Sequence, residues 1–143
     1  MSEIEDLCLA IATEAHRGQV DKAGADYIEH PKRVASRLTV ERQRCAALLH
    51  DVPEDTPTTA DDLLAQGVPA DVVAVVQKLT RPEGVEYMDY VRSIAADPDA
   101  RAVKMSDLTD NMDLTRLAEV TAKDRERVEK YKRAYSILEE AGR

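Results

Sequence analysis

The chain has 143 residues and a net charge of −8, with 34% charged and 43% hydrophobic residues, five glycines, and neither tryptophan nor phenylalanine. That is one domain's worth of chain, long enough to bury a real core, and the shortage of aromatic residues favours helices over sheets. A surplus of carboxylates without a basic patch argues against a nucleic-acid-binding surface. The acidic start Met1-Ser2-Glu3-Ile4-Glu5-Asp6 does not read as a signal peptide, and no apolar run approaches the ~20 residues of a membrane span, so the expected location is the cytoplasm.

In chain order, Ser2 is placed to cap a first helix that carries Ile4, Leu7, Cys8, Ile11, Ala12 and Ala15 on one face and stops near Gly18. Residues 19–29, with Gly24 and few apolar side chains, form a loop. Pro31 suits the first turn of a second helix with Val34, Ala35 and Leu38, and a third runs from about Glu41 through Ala46, Leu48 and Leu49 to His50-Asp51. Thr56 to Asp62 reads as a turn and an N-cap for a short helix ending at Gly67.

Val72, Val73, Val75 and Val76 would suit a buried strand, but no second strand-like run exists to pair with them. Pro69-Ala70-Asp71 is a helix start, so Asp71 to Leu79 is expected to be helical. Glu86 to Ala96 follows, closed by Asp97-Pro98, and then a longer helix from Pro98 to about Leu117 containing Val103, Met105 and Leu108. The last, Lys123 to Glu140, shows Val128, Tyr131, Tyr135 and Leu138 at helical spacing. The expectation is an all-α bundle with residues 1–143 as one domain. Cys8 and Cys45 lie in apolar helical contexts outside any CxxC pair and are expected as buried free thiols.

His50-Asp51 follows the apolar stretch Ala46-Ala47-Leu48-Leu49 and precedes Val52-Pro53-Glu54-Asp55. An adjacent imidazole and carboxylate at a helix end can reach one divalent cation, and a Glu-Asp pair one turn further on can handle a proton beside it. Of the three histidines, His30 stands before Pro31 at a loop-to-helix junction, where a side chain can aim into a cleft, whereas His16 reads as a hydrogen-bonded structural residue. Asp107 interrupts an apolar helical stretch and needs a buried partner or a cation. A ligand set of His30, His50, Asp51 and Asp107 suits Mn²⁺, Fe²⁺ or Zn²⁺ better than Mg²⁺ or Ca²⁺. Spacing alone does not choose among these ions, and a His-Asp dipeptide by itself is a common pair.

His50-Asp51-Val52-Pro53-Glu54-Asp55-Thr56, preceded by Tyr27-Ile28-Glu29-His30-Pro31 and followed by Val103-Lys104-Met105-Ser106-Asp107 with Asn111, resembles the hydrolase domain of RelA/SpoT homologues. Ala15-His16-Arg17-Gly18-Gln19 and Arg127-Val128-Glu129-Lys130-Tyr131 carry the agreement over nearly the whole chain in order. The resemblance implies an HD-domain helical bundle of the small alarmone hydrolase type. It implies that His30, His50, Asp51 and Asp107 ligate one Mn²⁺, that Glu54 and Asp55 position and deprotonate the attacking water, and that Asn111 helps hold the substrate. The implied reaction removes the 3′-pyrophosphate from guanosine tetra- or pentaphosphate, leaving GDP or GTP and pyrophosphate. The alternative is an HD-domain phosphohydrolase acting on another nucleotide or phosphate ester. Pro53, in the first turn after a break, could pin Glu54 and Asp55 in place.

A ligand with several negative charges must be met inside an acidic protein. Lys22 and the Arg127/Tyr131 pair match family positions that contact nucleotide phosphates; without the resemblance they read as a solvated charge and a core tyrosine. One position departs from the pattern: many members of the family carry Arg-Lys where this chain has Asp21-Lys22, and that arginine usually stacks on the purine base. Losing a cation–π platform and gaining a carboxylate leaves guanosine and adenosine substrates both open.

Overall fold

The computed structural model describes residues 2–143, which fold into nine α-helices without a sheet. They are α1 (Glu3–Ala15), α2 (Glu29–Ser36), α3 (Glu41–Leu49), α4 (Val52–Asp55), α5 (Ala60–Ala65), α6 (Ala70–Leu79), α7 (Tyr87–Ala95), α8 (Pro98–Asn111) and α9 (Ala122–Ala141). Several begin where cap chemistry dictates. Ser2 Oγ accepts the Glu5 N–H at 3.1 Å, Thr59 and Thr121 form reciprocal capping boxes with Asp62 and Asp124, and Asp97 accepts from Asp99 and Ala100 ahead of Pro98. Each satisfies donors that a first helical turn leaves without an intrahelical partner.

α3 is the central strut, packed against α1, α2, α6 and α8. Cys45, Ala46, Ala47, Leu48 and Leu49 are all buried, so its second half is apolar on every side, as a helix covered all round must be. Its small side chains let neighbouring helices come close, and Leu48 and Leu49 each contribute about 1.5–3 kcal/mol of transfer free energy. The consequence for function is positional: the end of this strut, His50, is delivered into the middle of the protein. α8 lies alongside α2, α3, α6, α7 and α9 and forms the second wall.

The valine run is helical, as expected. Val72, Val73, Val75, Val76 and Leu79 are buried because α6 is covered by α3, α5 and α8, and burial on several sides outweighs the small helix penalty of β-branched residues. Cys8 and Cys45 are free and buried, their thiols pushed up by burial to about 12 and about 11, which makes them unreactive. No helix is long and apolar enough to cross a membrane among the described residues.

Two boundaries differ from expectation. α1 stops at Ala15, and residues 16–18 turn away through Gly18 at a φ of +83°. α8 ends at Asn111 rather than near Leu117, because Asp113 accepts the backbone N–H of Thr115 at 3.0 Å, its hydroxyl at 2.6 Å and the Arg116 guanidinium at 3.1 Å. That local bonding competes with helix continuation. The segment between α8 and α9 therefore folds over the protein as a loop.

Candidate metal centre

Four helices, α2, α3, α4 and α8, bring the nominated ligands together. His30 is the second residue of α2, His50 caps α3, Asp51 immediately starts α4, and Asp107 lies on α8. His30 Nε2 is 2.8 Å and His50 Nε2 3.2 Å from the same oxygen, Asp107 Oδ1, and ligand atoms of the three residues lie within 4.8 Å of one another. His30, His50 and Asp107 thus form a triad able to hold a divalent metal. Asp51 Oδ2 faces the same two nitrogens, 3.2 Å from His50 Nε2 and 3.8 Å from His30 Nε2.

The tautomers follow from what lies behind each ring. His50 Nδ1–H donates to the Ala47 carbonyl at 2.6 Å, and His30 Nδ1–H donates to Asp110 Oδ2 at 2.7 Å. On a neutral ring each Nε2 would then present a lone pair to carboxylate oxygens, an arrangement that requires a shared proton or a cation between them. A divalent ion held by these two nitrogens and the Asp107 carboxylate would answer this with its own charge. The donor set fits such an ion.

Electrostatics point the same way. Burial alone would lower His50, but Asp51 and Asp107 outweigh it and hold it well above the usual imidazole range. For His30, burial is likewise overcome by the hydrogen bonds to Asp107 and Asp110. Burial would raise both carboxyls, yet the His50 charge takes Asp51 down to about 2, and Lys104 and His50 hold Asp107 well below the ordinary range. Both carboxylates are ionised, and a proton on the rings is what a metal would displace.

The supporting contacts are tight. Lys104 Nζ donates to Asp107 Oδ2 at 2.9 Å and Asn111 Nδ2 to Asp107 Oδ1 at 3.2 Å, a turn before and a turn after on α8. Tyr27 donates its hydroxyl to Asp51 Oδ2 at 2.5 Å. Asp110, 1% exposed, is itself clamped by Arg33 at 2.9 Å and Arg37 at 3.2 Å.

Glu54 and Asp55 sit on α4, with Pro53 in its first turn. Glu54 Oε1 accepts the Arg81 N–H at 2.6 Å. Its carboxyl is raised by burial against the opposing Arg81 bond, and Asp55 is raised by burial and then by Asp51. A carboxylate of raised basicity beside a metal site is suited to accept a proton. The Asp55 carbonyl accepts from Gln19 Nε2 at 3.1 Å, and His16 Nδ1–H donates to Gln19 Oε1 at 2.9 Å, so His16 is the structural histidine expected.

A cleft in two parts opens on this centre. A cavity of about 570 Å³ is lined by Asp51, Glu54, Asp55 and Asp107 together with Arg81, Tyr87, Lys104 and Lys130. A second, of about 330 Å³, is lined by Asp21, Lys22, Leu114, Leu117 and Arg127, and the two share Tyr27, His30, Asn111 and Tyr131. All four nominated substrate residues line this cleft. Lys22 and Arg127 converge on one carboxylate, Asp124, with Lys22 Nζ at 3.9 Å and Arg127 hydrogen-bonded to it. Asp21 does not extend into the cleft as a free charge, since its Oδ1 accepts the N–H groups of Ala23 at 2.9 Å and Ala25 at 3.0 Å. It is a turn former.

Sequence reasoning missed Asp110, Tyr27, Lys104, Arg81 and Lys130. Asp110 carried a signal, because a second carboxylate three residues after Asp107 falls on the same helical side and needs the same justification. Lys130 stood within the Arg127-to-Tyr131 segment that carries the resemblance, and Arg81 carried no signal.

Residues 8–135 match a family model described as HD domain. At 38% identity over 116 residues, 71% of the chain aligns with 17% of the guanosine-3′,5′-bis(diphosphate) 3′-pyrophosphohydrolase of Haemophilus influenzae. At 33% over 117 residues, 71% aligns with 16% of the bifunctional (p)ppGpp synthase/hydrolase SpoT of Escherichia coli K12. The chain spans a small part of either relative's length. A solved structure of a metazoan orthologue of SpoT, which hydrolyses ppGpp and plays a role in starvation responses, matches with a TM-score of 0.72 at 26% identity, over 99% of this chain and 94% of that one. The chain belongs to the HD-domain family and is related to the RelA/SpoT-type (p)ppGpp hydrolases.

Proposed function

We propose that residues 1–143 act as one metal-dependent phosphohydrolase domain that removes the 3′-pyrophosphate from (p)ppGpp or a related purine alarmone in the cytoplasm. The products are GDP or GTP, or the adenosine equivalents, and pyrophosphate. The observation that carries this reading is that His30 and Asp107 of the metal triad line one cavity with Asp51 and the raised Glu54/Asp55 pair, while His50 closes the triad from behind, in a chain whose relatives include 3′-pyrophosphohydrolases.

In this reading Asp51 joins His30, His50 and Asp107 as the fourth ligand, and the ion is Mn²⁺, which the mixed nitrogen and oxygen donors accept. Such an ion, when bound, polarises phosphoryl oxygens and makes a neighbouring water more acidic. Glu54 and Asp55 take the proton of the attacking water. Its oxygen bonds to the phosphorus attached to the 3′-oxygen, the P–O3′ bond breaks, and the 3′-oxygen takes up a proton to leave as a hydroxyl. Asn111, already bonded to Asp107, sits where it can hold the substrate beside the site. Lys22 and Arg127 offset phosphate charge in the smaller cavity, and Tyr131 lies between the two. The partner is a small nucleotide rather than a nucleic acid.

The test is incubation of purified protein and Mn²⁺ with guanosine and adenosine 3′-pyrophosphorylated nucleotides, reading the phosphate species released. Pyrophosphate release is the expected result, and none from either substrate overturns the reading. Orthophosphate release from other esters would select a broader HD phosphohydrolase.

A further inference from the structure

The larger cavity contains a set of positive charges of which the metal centre uses only Lys104. Around the ring of Tyr87 stand Lys130 Nζ at 4.6 Å, Lys104 Nζ at 5.8 Å and the Arg81 guanidinium carbon at 5.8 Å, contributed by α9, α8 and the loop before α7. The Tyr87 hydroxyl is buried and has no hydrogen-bond partner. Lys104 is paired with Asp107, but among the described residues neither Arg81 nor Lys130 has a carboxylate oxygen within 4.0 Å. Arg81 meets Glu54 through its backbone N–H, leaving the guanidinium unspent.

Arg81 and Lys130 gather about one ring beside a third cation already paired with Asp107; their unpaired charges repel, and cation–π contacts of about 0.5–1 kcal/mol each do not explain why they meet there. Partial burial, then Arg81, Lys104 and Arg127, hold Lys130 below the usual ammonium range. A multiply charged anion removes the repulsion and gives the orphaned hydroxyl an acceptor. We propose that Arg81, Tyr87, Lys104 and Lys130 form an anion subsite that takes the outer phosphate of the pyrophosphate as it departs. The assignment to pyrophosphate rests on the function proposed above. It orients the ligand: the scissile phosphorus beside the triad, the outer phosphate at Tyr87, and the nucleoside with its 5′-phosphates in the smaller cavity toward Lys22 and Arg127.

The experiment is calorimetric titration of inorganic pyrophosphate into the Mn²⁺-loaded protein, with free Mn²⁺ matched in cell and syringe, and with GDP as the control ligand. Wild type is compared with Lys130→Ala, Arg81→Ala and Tyr87→Phe, each verified as folded by circular dichroism and thermal melting. Lys104 is left intact because it holds Asp107. Lys130→Ala and Arg81→Ala are each expected to weaken pyrophosphate about tenfold and GDP by less than about twofold, with a smaller pyrophosphate loss for Tyr87→Phe. Unchanged pyrophosphate affinity in both alanine variants, equal weakening of GDP, or no pyrophosphate binding by wild type overturns the subsite. Pyrophosphate binding that depends on Lys130, in a protein that turns over no alarmone, upholds the anion subsite and overturns the parent reading instead.

Discussion

The two parts of the cleft are built differently. The metal side is made from helices: His30 is fixed by Asp110, His50 by the Ala47 carbonyl, Asp107 by Lys104 and Asn111, and Asp51 by Tyr27. The smaller cavity is walled largely by the loops after α1 and after α8, whose carboxylates Asp21 and Asp113 are spent on their own turns. One side is held by packing of the core and the other by local turn chemistry. In the proposed function, chemistry that depends on tenths of an ångström would sit on the first, and recognition, which tolerates change, on the second.

This difference ranks the effects of substitution. His50→Ala removes a ligand from the helix-built side and leaves Asp51 and Asp107 facing each other across the gap. Metal content after dialysis and turnover should both fall by more than the ~100-fold typical of losing a supporting contact. Retention of a full equivalent of Mn²⁺ would break the assignment. Glu54→Gln should keep the metal and lose about 10²–10⁴ in kcat. Because burial raises Glu54, it becomes protonated, and useless as an acceptor, at a higher pH than an ordinary carboxylate. The wild-type rate should therefore fall as pH drops through that raised value, and the Gln variant should lose this dependence. Equal activity in the variant would contradict the role.

Asp110→Asn is a finer test of how the helix-built side is held. The amide still fits between His30, Arg33 and Arg37 but withdraws a charge that those groups share. Metal affinity should fall about 10–100-fold with the fold intact. An unchanged affinity would mean that packing alone orients His30.

How much was legible in the chain follows the same division. Asp107 could be nominated because a carboxylate is expensive where the apolar pattern places it, His50 because it adjoins Asp51 at a helix end, and His30 because it stands at a loop-to-helix junction, all of which are visible in one dimension. The helix at Val72–Val76 was legible because a strand without a partner cannot satisfy its backbone. The end of α8 was not, since Asp113 and Thr115 stop it by a side-chain bond that helical periodicity does not register. Arg81, Lys104 and Lys130 meet only through tertiary packing, and each alone reads as an ordinary solvated cation.

The smallest expected effect lies at Asp21, on the loop-built side. If its influence were electrostatic, Asp21→Asn would change substrate preference by removing the charge while keeping an oxygen for the Ala23 and Ala25 N–H groups. If it acts only as the turn former that its contacts describe, Asp21→Asn should leave the guanosine-to-adenosine ratio of kcat/KM within about twofold. Asp21→Arg both breaks the turn and supplies a planar cation. A stacking contribution of about 0.5–1 kcal/mol would then shift the ratio toward the base it prefers by about two- to fivefold, with kcat for either substrate nearly constant. A large drop in kcat for Asp21→Arg would show that the loop also reaches the metal side, through Tyr27, which touches both cavities and donates to Asp51. The division between a rigid chemical half and an adaptable recognition half would then fail at that residue.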